Sequence, residues 1–234
     1  MDSNRKTAII VGVLFIIVLV SAMIGGVSSG SINDPDYLTA VSANETQVLI
    51  GVLGMLSLTA SVVMIPIMMF PILKKHSESL ALGYVVARIF EGFFDTIMAI
   101  SDLSLLTLSR EYVNAVAPVA SYFQTSGALI LAEDAWSNIL ENFPYCLGAL
   151  MFYYLLYKSK LVPRWLSVWG LVGATLFLAT VPFRMFGLIP PSTVVLVVPL
   201  LLNEMVLAVW LIVKGFNSSA SASLSAKSDI NEID

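Results

Sequence analysis

Long apolar blocks separated by short polar stretches set the pattern of this chain. Six blocks, at about 7–28, 47–73, 79–108, 133–157, 165–187 and 193–216, reach the ~20 residues that an α-helix needs to cross a ~30 Å hydrocarbon layer. A membrane β-barrel would instead alternate apolar and polar residues over about ten positions. The pattern therefore predicts an all-α, polytopic bundle of six transmembrane helices. Ala117 to Tyr157 is too long for one crossing, so a short helix at about 119–132 is expected on the outer membrane surface, leading into the fourth span. The block after MDSNRK outruns a secretory h-region and ends on the poor cleavage site SAMIGG, so it reads as a retained first span.

Composition agrees with the pattern. Of 234 residues, 58% are hydrophobic and 12% charged, half the roughly 25% of an average soluble domain, and mean hydropathy is +0.88. Lys and Arg in the short loops set orientation. Arg5, Lys6, Lys74, Lys75, Lys158, Lys160, Arg164, Lys214 and Lys227 fall on one side, and Arg110 on the other with Asp34, Asp36 and Glu45. Both termini are thus expected in the cytoplasm, in a multi-pass protein of the cell membrane. Trp165 and Trp169 suit the interfacial belt beside Arg164. The tail 217–234, rich in Ser, Ala and acids, cannot bury a core and reads as disordered.

Charge inside the apolar blocks changes the picture. At ~100° per residue, Arg88, Glu91, Asp95 and Asp102 fall at about 0°, 300°, 340° and 320°, one stripe along the third span. Facing lipid, each would cost about 2.5–3.5 kcal/mol or more near the bilayer centre, so the stripe must face other helices or a wet cavity. The fourth span offers Glu133, Asp134, Asn138 and Glu141 in its outer half, ahead of Pro144; the fifth offers Pro182 and Arg184; the sixth offers Pro199, Asn203 and Glu204 near its middle. If these groups converge, acids outnumber bases, and the excess needs protonation, water or a bound cation.

Two expectations follow. Arg88, Glu91, Arg184 and Glu204 are candidates for a buried charge network, Arg88 and Glu91 neutralising one another three residues apart and Glu204 packing near Arg88. Asp95, Asp102 and Glu141, with Glu133, Asp134 and Asn138, are candidates for a polar cavity or a cation or proton site. No basic residue stands one turn from Asp95 or Asp102 on their own helix.

Other chemistries are poorly supplied. With Cys146 as the lone cysteine and His76 as the lone histidine, an intrachain disulfide, a His-based metal cluster and haem held by two histidines are argued against, and no cofactor is expected. Asn33, Asp34 and Asp36 read as a solvated turn rather than a calcium loop. Met55, Met64, Met68 and Met69 read as packing rather than soft-metal ligands. Asn44-Glu45-Thr46 fits a glycosylation tripeptide, a common one. No glycine loop for phosphate and no basic patch for nucleic acid is present.

Several stretches carry a family likeness: ARIFEG in the third span, KSKLVPRWLSVWGLVGA entering the fifth, NEMVLAVWLIVKGF in the sixth, and FPILKK, SLALGYV and LTLSREYV elsewhere. The chain resembles the prokaryotic membrane-protein family termed domain of unknown function 4386. The resemblance implies a membrane bundle with Arg88, Glu91 and Glu204 as recurrent charges. Asp95, Asp102 and the Glu133, Asp134, Asn138, Glu141 set stand as departures from the family's pattern, the mark of a specialised member or of a subgroup with a more hydrated outer cavity, and the resemblance carries no activity.

Three functions fit the residues. One is a membrane protein whose charges hold the bundle together. The second is a small transporter or cation-binding protein with an acidic cavity open to the exterior. The third is a lipid-acting intramembrane enzyme using paired carboxylates such as Asp102 and Glu141. The balance leans away from an enzyme, and the expected surroundings are the lipid bilayer and a small cation or solute.

Overall fold

The computed structural model describes residues 3–27, 29–115, 120–189 and 195–217, which form helices with no strand among them. In chain order these are α1 (Ser3–Gly25), α2 (Ser29–Ile32), α3 (Tyr37–Ala43), α4 (Glu45–Leu73), α5 (Glu78–Asn114), α6 (Ala120–Ser159), α7 (Arg164–Met185) and α8 (Val198–Val213). The tail 218–234, where disorder was expected, lies outside the described residues, as do 116–119 and 190–194.

Five segments are long and apolar enough to cross a membrane: Asn4–Ile32, Glu45–Leu73, Ser121–Ser159, Arg164–Met185 and Val195–Val213. The third expected span is α5. At 37 residues it has ample length, but its charged stripe removes it from that set on composition. Its start is fixed by Ser77, whose side chain accepts from the Leu80 amide at 3.5 Å.

The expected short helix at 119–132 and the span at 133–157 are one continuous helix, the 40-residue α6. The stretch between them contains no proline. Gly127 does not break the helix either, because it serves packing: a Cβ there would meet the Tyr37 ring, with Cε2 at 2.9 Å. α5 and α6 are each ~55–60 Å long at 1.5 Å per residue, so they project beyond the bundle. Around the projection Leu38, Val41, Val48, Leu105, Leu106 and Phe123 form a small second core. The loop between α1 and α4 is therefore a packed cap built on α3, tied to α6 by the Tyr37 hydroxyl donating to the Gln124 carbonyl at 3.2 Å.

In α8 the proline stands at the start of the helix rather than near the middle of the span. Pro199 sits in the first turn, where its missing N–H would have had no partner anyway, so it does not interrupt the helix. Pro144 and Pro182 do lie inside α6 and α7.

The ends of the chain meet. Arg5, at the start of α1, donates to the carbonyls of Leu211 at 3.1 Å and Ile212 at 2.7 Å, capping the last turn of α8. Gly215, at φ 74°, turns the chain beneath that guanidinium, and a Cβ there would lie 2.7 Å from Arg5 Nη1. Asn217 then donates to the Lys160 carbonyl at 2.6 Å, joining the same end to the α6–α7 connection. The main core, including Phe15, Met69, Phe152, Leu166 and Leu207, fills the half of the bundle near these ends. The charged stripe of α5 runs on beyond this core.

Candidate functional site

The charged stripe of α5 turns inward. Arg88, Glu91, Asp95 and Asp102 are all buried, at 3%, 3%, 5% and 8% exposure. They line one cavity of about 470 Å³ between α1, α4, α5, α6 and α8. From α6 come Asp134, Asn138 and Glu141, and from α8 comes Glu204. Six carboxylates and one guanidinium therefore share its lining: Glu91, Asp95, Asp102, Asp134, Glu141 and Glu204, with Arg88. Its rim includes Gly26 and Asn33, at the end of the bundle opposite the capped termini.

The cavity floor is an ion network. Arg88 Nη1 donates to both carboxylate oxygens of Glu91, at 2.7 and 2.6 Å, a pairing that the i, i+3 spacing on one helix permits. Across the bundle Glu204 Oε1 stands 3.8 Å from Arg88 Nη2 and accepts the Tyr145 hydroxyl at 3.2 Å. Two rings flank the guanidinium, Tyr145 at 5.3 Å and Tyr84 at 5.9 Å from their centroids. One cation thus serves two acids, the nearer through hydrogen bonds and the farther through charge.

Some polar atoms of the site lack a partner. Arg88 Nε, Tyr84 Oη and Asp95 Oδ2 are buried without a hydrogen bond. Buried polar atoms are ordinarily satisfied, and a polar cavity of this size has room for ordered water or a bound group.

The other expected residues are placed apart from this floor. Glu133 is exposed on α6 and does not line the cavity. Arg184 Nη2 donates to Asn138 Oδ1 at 3.2 Å, and Arg184 borders a neighbouring hollow of about 300 Å³ shared with Asp134 and Asn138. Asn203 is wholly buried and donates to the Leu166 carbonyl at 2.9 Å, locking α8 to α7. Asp34 and Asp36 form the turn that their sequence suggests, with Asp34 Oδ1 accepting the Asp36 amide at 2.8 Å. Among the described residues no three His, Cys, Asp or Glu side chains are grouped to hold a metal ion.

Tyr84, Tyr145, Asn142 and Met98 were not singled out from sequence, although a signal existed. Tyr84 and Met98 extend the α5 stripe at helical spacing from Arg88 and Asp95, and Asn142 and Tyr145 continue the α6 series Asp134, Asn138 and Glu141.

The family description that matches, over residues 10–215, is "Domain of unknown function (DUF4386)". The chain belongs to this family. No curated protein and no solved structure matches it. The matched region runs from within α1 through α8, so the family's extent encloses every residue of the cavity.

Proposed function

We propose that the chain is a six-span protein of the cell membrane, with both termini cytoplasmic, whose cavity is an outward-facing site for a small cationic solute. The observation that carries this reading is the convergence of six carboxylates on one cavity around a single guanidinium. Such an excess of negative charge in a low dielectric calls for compensation by protons, water or a cation.

The crossing number has its own support. The start of α1 and the end of α8 meet through Arg5, so the chain between them crosses an even number of times. Five apolar segments are too few by one, and α5 supplies the sixth, its polar stripe turned away from lipid while Phe90, Phe93 and Ile100 stay exposed on the outer face. The excess of loop Lys and Arg at the end carrying the termini supports a cytoplasmic assignment.

A second reading has an observation of its own. The Arg88, Glu91, Glu204 network joins α5 to α8 and would hold the bundle together with no solute at all. Both roles are compatible, because the network forms the floor and the remaining acids stand above it.

Sidedness is tested with single cysteines in a Cys146→Ala background. Tyr37→Cys and Val113→Cys should react with an impermeant maleimide on intact cells, whereas Lys75→Cys and Lys158→Cys should react only after lysis. The opposite pattern overturns the orientation and with it the outward-facing cavity.

A further inference from the structure

We propose that the cavity takes an organic ammonium ion, its charged head held by Asp95 and its apolar body laid against the wall formed by Met55, Val62, Met98 and Leu201. This inference rests on the reading of the cavity as a cation site and names the class of cation.

Three observations converge on Asp95. Its side chain lies in the cavity lining and is 95% withdrawn from solvent, being 5% exposed. Its Oδ2 has no hydrogen-bond partner. The nearest guanidinium on its own helix, that of Arg88, is already engaged by Glu91 at 2.6 Å and faced by Glu204 at 3.8 Å. A buried carboxylate oxygen left without a donor is costly, and an ammonium group supplies both the charge and the N–H donors. Glu141, on α6, lines the same cavity and gives the head a second acceptor.

The rest of the lining suits an organic cation better than a bare divalent ion. A bare divalent cation wants six or more oxygen ligands at about 2.0–2.6 Å, and no such acid grouping exists among the described residues. The cavity, at about 470 Å³, lies in the range of about 300–1,000 Å³ typical of sites for small organic molecules. Its wall beside the acids is thioether and aliphatic, which favours an apolar body over a hydration shell. Arg88 on the floor repels a positive head, so the head stops at the level of Asp95.

The test uses benzylammonium chloride as the probe on purified protein in neutral detergent, read by thermal unfolding. Benzyl alcohol, sodium benzoate, sodium chloride and magnesium chloride at matched ionic strength are the comparisons. Benzylammonium should raise Tm by about 2–4 °C once it is in roughly fivefold excess over its Kd, and the comparisons should not. Asp95→Asn should fold and lose the response. Glu141→Gln should shift the response to higher probe concentration, which keeps the test sound if Asp95→Asn folds poorly. Equal stabilisation by sodium or magnesium, lost in Asp95→Asn, would overturn the organic ligand and leave the cation site standing. Equal stabilisation by benzyl alcohol would overturn the role of charge. No response to any cation in the parent protein would overturn both this inference and the cation-site reading.

Discussion

Replacing Arg88 with leucine lowers the stability of the detergent-solubilised protein by about 3–5 kcal/mol, the cost of leaving a buried charge without its partner. Both acids that depend on Arg88 are withdrawn from water: the side chains of Glu91 and Glu204 are 4% and 5% exposed. Tyr145 gives Glu204 one hydrogen bond but no charge. Glu91 loses its 2.6 Å and 2.7 Å contacts outright. Removing the nearer acid as well should reverse much of the damage, because an apolar pair of similar volume is often neutral or stabilising where half an ion pair is not. Arg88→Leu with Glu91→Leu should therefore be at least about 1 kcal/mol more stable than Arg88→Leu alone. Chemical denaturation of these two variants and of Glu91→Leu alone decides the matter. Effects that simply add would show that the floor is not a coupled network.

Gly54→Leu is expected to cost about 3 kcal/mol or more, above the usual 1–3 kcal/mol of overpacking, because the obstruction is backbone rather than a movable side chain. At Gly54 a Cβ would lie 2.8 Å from the Gly25 nitrogen and 2.8 Å from Ile24 Cγ2. α1 and α4 cross there at the close approach that small residues permit in membrane bundles. The change should also disturb the site, since Gly25 and Gly26 border the cavity rim. Gly30 provides the control, because nothing lies within 4 Å of a Cβ there, and Gly30→Leu should leave unfolding nearly unchanged. Near-equal stability of the two variants would show that α1 and α4 can separate at no cost.

Much of this bundle was readable from sequence because membrane helices announce themselves by length and hydropathy. The runs expected at 47–73 and 165–187 correspond to α4 (Glu45–Leu73) and α7 (Arg164–Met185) within two residues at each end. The inward stripe of α5 followed from helical angle alone, since four charges on one arc cannot face lipid. What sequence hid had physical reasons. Tyr37 seats against Gly127 of the continuous α6 from a distant cap, a contact that no local signal encodes. Leu38 and Val41, in the loop between α1 and α4, bury against the projecting ends of α5 and α6, a packing between distant segments that the span pattern does not announce. Glu133 and Asp134 are neighbours in sequence but diverge by a helical step of ~100°, which puts Asp134 on the cavity lining and leaves Glu133 exposed. Arg184, expected in the charge network, bonds through its guanidinium to Asn138, which lines both the cavity and the neighbouring hollow.

The central claim, an acidic and water-filled cavity open to the outside, is tested most directly by charge-selective modification of Met98→Cys in a Cys146→Ala background. Met98 lines the cavity among the carboxylates without being one of them. On intact cells a cationic thiosulfonate should react at this position at least about tenfold faster than an anionic one of similar size, an advantage of about 1.4 kcal/mol. Adding Asp95→Asn should shrink that ratio. Equal rates for the two reagents, or reaction only after the cells are opened, would contradict the account.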